Sequence, residues 1–230
     1  MLQRILEVEV MDSAAEAQDY NSMDHTGVNR VFVDDLLQAL SQNVSHSSED
    51  EDQPALDILD LGTGTALIPI ELCPRAPQVR VLAVDLAVHM LDLARYNIEG
   101  AGLAHRISLA QIDAKGLPFD SGRFDVVMSN SIIHHIPQPL AALREAARVV
   151  KSGGRLFFRD LLRPADEATL QALVQTYAGA ENDHCRQMFA DSLHAALSLC
   201  EIRDLVGQLG FAPATVQATT DRHWTWSAQA

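Results

Sequence analysis

The sequence predicts an α/β domain built on a parallel β-sheet, and three observations support this fold class. Short apolar segments alternate with segments that have the apolar period of a helix throughout residues 56–160. The strand segments are apolar almost without interruption, which is typical of strands that are buried on both faces. The chain has 230 residues, of which 47% are hydrophobic, so it is long enough to form one large domain with its own core.

The predicted strands are short apolar runs, and most of them end in a polar side chain. A C-terminal segment in which apolar and polar residues alternate supplies one further strand. The strands are predicted at residues 56–61, 79–85, 106–113, 124–130, 155–160 and 214–226.

The predicted helices have apolar side chains that recur every three or four residues. Pro69 is acceptable because it lies in a first turn, and Gly100 is typical of a helix end. Gly153 and Gly154 are expected to end the helix that Pro139 begins. The helices are predicted at residues 28–40, 66–72, 87–99, 139–150, 165–178 and 184–209.

The charge balance disfavours nucleic acid as a partner. There are 17 lysines and arginines against 31 acidic residues, a formal net charge of −14, whereas phosphate binding depends on clustered cations. No apolar run approaches the ~20 residues of a membrane span, and the N-terminal residues do not have the pattern of a signal peptide. The three cysteines lack the spacing of a zinc or redox site, so a cytoplasmic protein with reduced thiols and no metal is expected.

Three carboxylates stand at the carboxyl ends of consecutive predicted strands, where ligands bind in open parallel sheets. Asp60 precedes a turn in which Gly62 and Gly64 allow the backbone to approach a ligand before a helix begins. Asp85 ends the second strand and can accept hydrogen bonds from both hydroxyls of a ribose. Asp113 ends the third strand, where it can accept from the amino group of an adenine. The pattern therefore predicts an adenosine-containing ligand.

The same turn distinguishes two classes of cofactor. A dinucleotide enzyme typically has a third glycine three residues after Gly64, but Leu67 stands there. Asp60 would also repel a pyrophosphate, whereas a carboxylate suits the sulfonium and ammonium groups of S-adenosylmethionine. S-Adenosylmethionine is therefore favoured over NAD, and an NAD-dependent oxidoreductase is kept as an alternative.

Four segments carry a resemblance to a known family: LDILDLGTGTA, VLAVDLAVHMLDLARYN, IDAKGLPFDSGRFDVVMSNSIIHHI and LREAARVVKSGGRLFFRD. They lie within residues 55–160 and resemble class I S-adenosylmethionine-dependent methyltransferases. The chain is most similar to the broad group that contains the ubiquinone and menaquinone C-methyltransferases and many enzymes acting on small molecules. The resemblance implies a Rossmann-like seven-stranded sheet, mostly parallel with an antiparallel last strand, and helices on both faces.

The resemblance also implies which residues bind the methyl donor. The glycine turn approaches the methionine part, Asp60 anchors its polar groups, and Asn130 faces its amino-acid end. Asp85 holds the ribose, and Leu86 lies against the adenine. One departure is Thr65, which stands where many members have glycine. The expected donor-binding residues are Asp60, Gly62, Thr63, Gly64, Asp85, Leu86, Asp113, Ala114 and Asn130, joined by Tyr20 and Arg30 from an N-terminal arm.

Candidates for the transfer step, among them Arg159 and Asp160, follow the fourth strand or stand at the end of the fifth. His134 and His135 could take a proton from the acceptor, which is needed only when the acceptor carries one; alternatively, they pack at the rim of the sheet. Arg159 and Arg163 could hold an anionic acceptor, and Asp160 follows Arg159 directly. The alternative for Arg159 and Asp160 is an ion pair that braces the end of the strand.

Composition and the resemblance together divide the chain into four parts. Residues 1–54 are expected to form a helical arm or lid, followed by an acidic, serine-rich loop at 41–54. Residues 55–160 form the S-adenosylmethionine-binding core, and residues 161–212 form a helical insertion on the acceptor side. Residues 213–230 supply a last strand that completes the same domain.

The expected function is transfer of a methyl group from S-adenosylmethionine to a small-molecule acceptor, with an anionic acceptor as one option. Two alternatives stay open: a non-catalytic, S-adenosylmethionine-binding regulatory module and an RNA methyltransferase. The net charge of −14 and the sequence Asn-Ser-Ile-Ile after the fourth strand, in place of Asn-Pro-Pro-Tyr, argue against a nucleic-acid substrate.

Overall fold

The strands of the computed structural model, which describes residues 2–7, 12–23, 25–41 and 55–230, form a seven-stranded sheet. They are β1 (Leu56–Leu61), β2 (Val79–Asp85), β3 (Ile107–Gln111), β4 (Phe124–Asn130), β5 (Val150–Leu161), β6 (Val216–Ala218) and β7 (His223–Gln229). Their order is β3-β2-β1-β4-β5-β7-β6, and neighbours are parallel except where β7 pairs with β5 and β6. The predicted Rossmann-like sheet, mostly parallel with an antiparallel last strand, is confirmed.

Helices cover both faces of this sheet, as predicted. On one face, α2, α3 and α4 contribute to the core, and on the other face α5 and α8 do so. The helices of the described residues are α1 (Ala14–Ser22), α2 (Thr26–Ser41), α3 (Leu67–Arg75), α4 (Val88–Gly100), α5 (Pro139–Val149), α6 (Glu167–Ala178), α7 (Asp183–Ala195) and α8 (Leu199–Gln208).

Successive residues of the central strands enter opposite cores. Ile58 packs with α2, α3 and α4, whereas Leu59 and Leu61 pack with α5 and α8. Phe157 and Phe158 of β5 divide between the two cores in the same way. Because both faces are covered, most positions of the central strands β1 and β4 are buried, which explains their almost uninterrupted apolar runs.

The fifth strand is longer than predicted. β5 begins at Val150, directly after α5, and Gly153 and Gly154 lie inside the strand. The prediction that these glycines end the helix is therefore wrong. The pairing register shifts here between Phe124 and Val126 of β4, and Gly153 has a φ of 79°. Glycine accommodates such an irregularity in a strand because it lacks the Cβ atom that makes a positive φ unfavourable.

The C-terminal segment forms two strands rather than the single strand predicted at 214–226. β6 ends at Ala218, and β7 begins at His223. The turn between them is closed by a hydrogen bond from the N–H of Thr219 to the carbonyl oxygen of His223 (2.9 Å) and by contact of Thr220 Oγ1 with His223 Nδ1 (2.9 Å). These turn contacts divide the segment into two strands, so the sheet has seven strands rather than the six that were predicted individually.

The helical stretch predicted at residues 184–209 is two helices, α7 and α8. The N–H of Ser198 donates to Glu201 Oε2 (2.7 Å), and Ser198 Oγ accepts from the N–H of Glu201 (3.3 Å). This capping box satisfies backbone donors at the start of α8 and separates it from α7. A further helix, α1, lies in an N-terminal stretch whose polar composition gives no helical period.

The acidic loop predicted at residues 41–54 lies outside the described residues, apart from Ser41 at the end of α2. Within the described part of the chain, no helix combines the length and the apolar character needed to cross a bilayer.

Arg106 fastens the end of α3 to the start of β2. Its guanidinium group donates to the carbonyl oxygens of Cys73 (2.6 Å), Ala76 (2.6 Å) and Val79 (3.0 Å). Carbonyl groups at a helix end have no intrahelical partner. One cation therefore satisfies the end of α3 and the entry to the adjacent strand.

Replacing this cation is expected to destabilise the fold. Arg106→Met should lower the free energy of unfolding by about 2–3 kcal/mol, because several backbone carbonyls lose a charged donor. Urea denaturation followed by circular dichroism measures the change. Arg95→Met is the matched control, since Arg95 is exposed on α4 and forms a solvent-exposed ion pair with Asp92 (3.6 Å). Equal losses in the two variants would contradict the role given to Arg106.

Candidate functional site

A cavity lies at the carboxyl ends of the parallel strands, where the turn after β1 meets α4 and the loop after β4. The cavity is open to solvent, and the empty space inside it and at its mouth amounts to about 810 Å³. A smaller polar recess adjoins it, and Tyr20, Gly62 and Asn130 line both. Of the predicted donor-binding residues, the cavity is lined by Tyr20, Gly62, Gly64, Asp85, Leu86, Asp113, Ala114 and Asn130, and the recess also by Asp60 and Thr63.

The turn after β1 is drawn tightly against its neighbours. The N–H groups of Gly62 and Thr63 both donate to the carbonyl oxygen of Val84, at 2.8 and 2.9 Å. Gly62 has a φ of 68°, and a Cβ atom there would lie 1.9 Å from Cγ2 of Ile132. Only glycine fits this position, because both the backbone conformation and the contact with the β4 loop exclude a side chain.

Asp85 ties the glycine turn to the start of α4. Its Oδ2 accepts from the N–H of Gly64 (2.8 Å), and its Oδ1 accepts from the N–H of Ala87 (2.9 Å). Burial raises the pKa of Asp85 above its usual value, while these backbone donors act in the opposite direction. Each oxygen keeps acceptor capacity on the cavity side, because a carboxylate oxygen can accept more than one hydrogen bond.

Asp60 is a buried carboxyl group that faces the polar recess. It is 2% exposed, and its Oδ2 makes no well-aligned hydrogen bond with the described residues, although the side chain of Thr63 is close enough to lower its pKa slightly against the effect of burial. Burial raises the pKa of Asp60 to about 7. Because an unpartnered buried carboxylate is unfavourable, this oxygen is expected to receive a positively charged or hydrogen-bond-donating ligand group. The recess therefore fits the ammonium group of an amino acid.

Asp113 lies at the opposite side of the cavity, beyond β3. Its Oδ1 accepts from the N–H of Lys115 (2.9 Å) and lies 3.0 Å from Lys115 Nζ. Burial alone would raise the pKa of Asp113, but the hydrogen bonds and charge of Lys115 lower it. Leu86 and Ala114 line the cavity nearby. This end of the cavity has the apolar surface and the acceptor that an adenine ring requires.

The N-terminal arm reaches the site through α1. Tyr20 lines both the cavity and the recess, and a Cβ atom on Gly64 would lie 3.7 Å from its ring. Asn97 Nδ2 donates to Asn21 Oδ1 (2.9 Å) and to the carbonyl oxygen of Thr65 (3.0 Å), which joins the arm to α4 and to the glycine turn. Burial raises the pKa of Tyr20 to about 12, so its hydroxyl stays protonated.

The two histidines after β4 have different surroundings. His135 lines the cavity beside Ile132 and Ile136. His134 is 3% exposed and lines neither space; its Nδ1 lies 2.5 Å from Oδ1 of Asp160. Burial alone would lower the pKa of His134, but the charge and hydrogen bond of Asp160 raise it. His134 and Asp160 thus form a buried pair behind the cavity wall.

The arginines considered for an anionic acceptor are engaged elsewhere. Arg159 is 4% exposed, donates to Thr225 Oγ1 (2.9 Å) and pairs with Asp35 of α2 (2.5 Å). Arg163 pairs with Glu201 of α8 (2.7 Å). Neither lines the cavity or the recess. The ion pair at the end of β5 is therefore formed with α2, and not between neighbours in the sequence.

Arg30, predicted to bind the donor, is exposed on α2 and lines neither space, whereas its neighbour Asn29 lines the polar recess. The helical period alone could not distinguish these two polar positions.

Ser131 has a φ of 59°, a strained conformation directly after β4. Further wall residues that the sequence analysis missed follow the ends of the observed strands or lie on α4; they are Ala87, Met90, Ile112, Lys115, Ser131, Ile132 and Ile136.

The chain matches a family model described as a methyltransferase domain over residues 59–158. It is 28% identical over 204 residues to the ubiquinone/menaquinone biosynthesis C-methyltransferase UbiE of Ruegeria sp. strain TM1040, covering 88% of this chain and 77% of that protein. It is 30% identical over 177 residues to the malonyl-[acyl-carrier protein] O-methyltransferase of Hahella chejuensis, covering 74% of this chain and 59% of that protein.

Solved structures share the fold. A SAM-dependent methyltransferase from Aquifex aeolicus superposes with a TM-score of 0.62 at 14% identity, covering 94% of this chain and 97% of that one. The sheet order, the glycine turn between two strand-end carboxylates and the matched sequences agree with one another. The chain therefore contains a methyltransferase domain over residues 59–158 and has the fold of S-adenosylmethionine-dependent methyltransferases.

Proposed function

We propose that the chain transfers a methyl group from S-adenosylmethionine to a small, uncharged acceptor at the cavity. The observation that carries the proposal is Asp60, a buried carboxyl group with an unpartnered oxygen in a polar recess beside the glycine turn. S-Adenosylmethionine, when bound, supplies a methyl group attached to a sulfonium, which is a good leaving group. The protein then has to bind the donor and the acceptor, align them and exclude water.

The residues that bind S-adenosylmethionine contact different parts of it along the length of the site. Asp60 and Asn130 hold the amino-acid end in the polar recess, and the glycine turn lets the backbone approach it. Asp85 accepts hydrogen bonds from the ribose hydroxyls. Leu86 lies against the adenine, and Asp113 accepts from its amino group. Ala114, Thr63 and Tyr20 complete the walls on the two sides.

The acceptor end is formed by the turn after β4. Ile132 and Ile136 make this wall apolar, and His135 is the imidazole beside them. Apolar walls exclude water from the transfer, and an imidazole can take a proton when the acceptor carries one. Arg159 and Arg163 are held in ion pairs away from the cavity, and Lys115 in the cavity wall pairs with Asp113, which favours an uncharged acceptor over an anionic one.

Transfer of labelled methyl groups tests the function directly. The protein is incubated with methyl-labelled S-adenosylmethionine and separate small-molecule, RNA and protein fractions of a cell extract. We expect label in the small-molecule fraction with the wild type and little with Asp85→Ala. Label in RNA would contradict the proposed acceptor class. No label in any fraction, with donor binding intact, would instead indicate a non-catalytic binding module.

Donor affinity should depend on pH through Asp60. A protonated carboxyl group cannot pair with an ammonium group, so affinity should rise with pH and level off above about pH 7. Below that pH, the affinity should fall by about tenfold for each unit. Calorimetry with S-adenosylhomocysteine in buffers of different ionisation enthalpy should detect a proton released on binding near pH 7.

Asp60→Asn is the control for this titration, because it replaces the titratable carboxyl group with an amide of nearly the same size. It should weaken binding at pH 8 and abolish both the proton release and the pH dependence. A wild-type affinity that is constant from pH 5.5 to 8 would contradict the assigned contact between Asp60 and the donor.

The glycine turn can be tested with two glycines that share a positive φ. Gly62→Ala should lower donor affinity by at least about tenfold, because its methyl group would displace Ile132 from the cavity wall. Gly102→Ala is the matched control: its φ is 70°, and no atom lies within 4 Å of the added Cβ. It should lose only about 1 kcal/mol of stability and keep donor affinity. Equal donor affinities in the two variants would contradict the role of the turn.

A further inference from the structure

Three side chains that are far apart in the sequence meet behind the acceptor end of the cavity. Glu7 Oε1 lies 3.1 Å from His135 Nδ1 and 3.5 Å from His134 Nε2. The three atoms that could ligate a metal all lie within 4.8 Å of one another. The side chain of His134 is 4% exposed, and those of Glu7 and His135 are 18% exposed.

These groups lie close together without satisfying Glu7. Its Oε1 is buried and accepts no well-aligned hydrogen bond from the described residues, although two imidazole nitrogens are adjacent. Its other oxygen, Oε2, accepts from Ser192 Oγ (3.2 Å). A buried carboxylate oxygen in this position normally has a cation or a donor beside it.

His134 is held as a metal-ligating histidine usually is. Its Nδ1 faces the fully buried Asp160, which also accepts from the N–H groups of Ile133 (2.5 Å) and Leu161 (2.6 Å). With Nδ1–H donating to Asp160, the lone pair of the ring is on Nε2, the atom that faces Glu7. A histidine that binds a metal through one nitrogen commonly donates its other N–H to a carboxylate.

The fold brings Glu7 to this place by fixing the segment that carries it. Arg4 donates to the carbonyl oxygens of Ala195 (2.7 Å) and of His134 and Ile136 (3.1 Å each). The N–H of Ile5 donates to the carbonyl oxygen of His194 (3.1 Å). The N-terminal segment is thus attached to both the histidine turn and α7, so that the three side chains are assembled before any ligand binds.

We propose that Glu7, His134 Nε2 and His135 Nδ1 bind a divalent transition-metal ion, with Zn²⁺ as the best match. Two imidazoles and one carboxylate are typical ligands of Zn²⁺ where a fourth position is left open. Bonds of about 2.0–2.2 Å in tetrahedral geometry place neighbouring ligand atoms about 3.4 Å apart. The separations of 3.1 and 3.5 Å lie on either side of that value.

The fourth coordination position of the ion, which none of the three side chains occupies, can take part in the proposed reaction. His135 lines the cavity, so an ion on its Nδ1 lies next to the acceptor end. An oxygen atom of the acceptor can occupy the fourth position and be fixed there, in which case the ion, and not the imidazole of His135, promotes the loss of its proton. Metal binding itself is independent of the proposed function, whereas this use of the fourth position rests on it.

Titration of tag-free, chelator-treated protein with Co²⁺ tests the site. Calorimetry and the visible absorption of the bound ion should report one Co²⁺ per chain, displaced by one Zn²⁺. Glu7→Gln, which keeps the shape of the side chain, should weaken Co²⁺ binding by at least about tenfold, and His135→Ala should do the same. Circular dichroism verifies that each variant is folded.

Two exposed residues of the same types provide controls. Glu99→Gln and His105→Ala should bind Co²⁺ like the wild type, because neither side chain is near the cluster. Titration of the same wild-type sample with S-adenosylhomocysteine reports the donor site separately. Absence of stoichiometric Co²⁺ binding, or Glu7→Gln binding as tightly as the wild type, would overturn the metal site even if the donor binds normally.

Discussion

The site depends on the hydrogen bonds that the Asp85 carboxylate accepts from the N–H groups of Gly64 and Ala87. These two bonds join the turn after β1 to the start of α4, so the carboxyl ends of β1 and β2 are held as one surface. The position of Asp85 at a strand end leaves the remaining lone pairs of the same carboxylate open to the cavity. The side chain of Asp85 therefore stabilises the cavity wall and also supplies hydrogen-bond acceptors for a ligand.

Burying the Asp60 carboxyl group in the polar recess before a ligand binds is energetically unfavourable. Asp60 is buried beside Asn130 and Asn29, and its Oδ2 makes no well-aligned hydrogen bond with the described residues. The protein reduces the cost of burying a charge by favouring the protonated form, since burial raises the pKa of Asp60 to about 7. Binding of a cation would restore the charged form, which couples ligand binding to the loss of a proton.

Burial also explains why the charged groups near β5 do not all serve the cavity. Arg159 and Asp160 are adjacent in the sequence, but successive strand residues point to opposite faces. Arg159 therefore meets Asp35 of α2, while Asp160 meets His134 on the other side. The sequence analysis expected either arginines that hold an acceptor or a pair between Arg159 and Asp160, and both expectations are wrong. The actual partners come from α2 and from the turn after β4, which are far away in the chain.

The sequence by itself determined the alternation of strands and helices, the glycine turn and the three carboxylates at strand ends. These features are local, because the period of apolar residues and the conformational range of glycine act over a few residues. Tertiary structure alone decided that Asn29 and not Arg30 reaches the recess, that Arg159 lies beneath α2, and that Glu7 meets the two histidines. Those outcomes depend on how whole elements pack, and a hydrogen bond or ion pair between distant segments leaves no periodic signal in the chain.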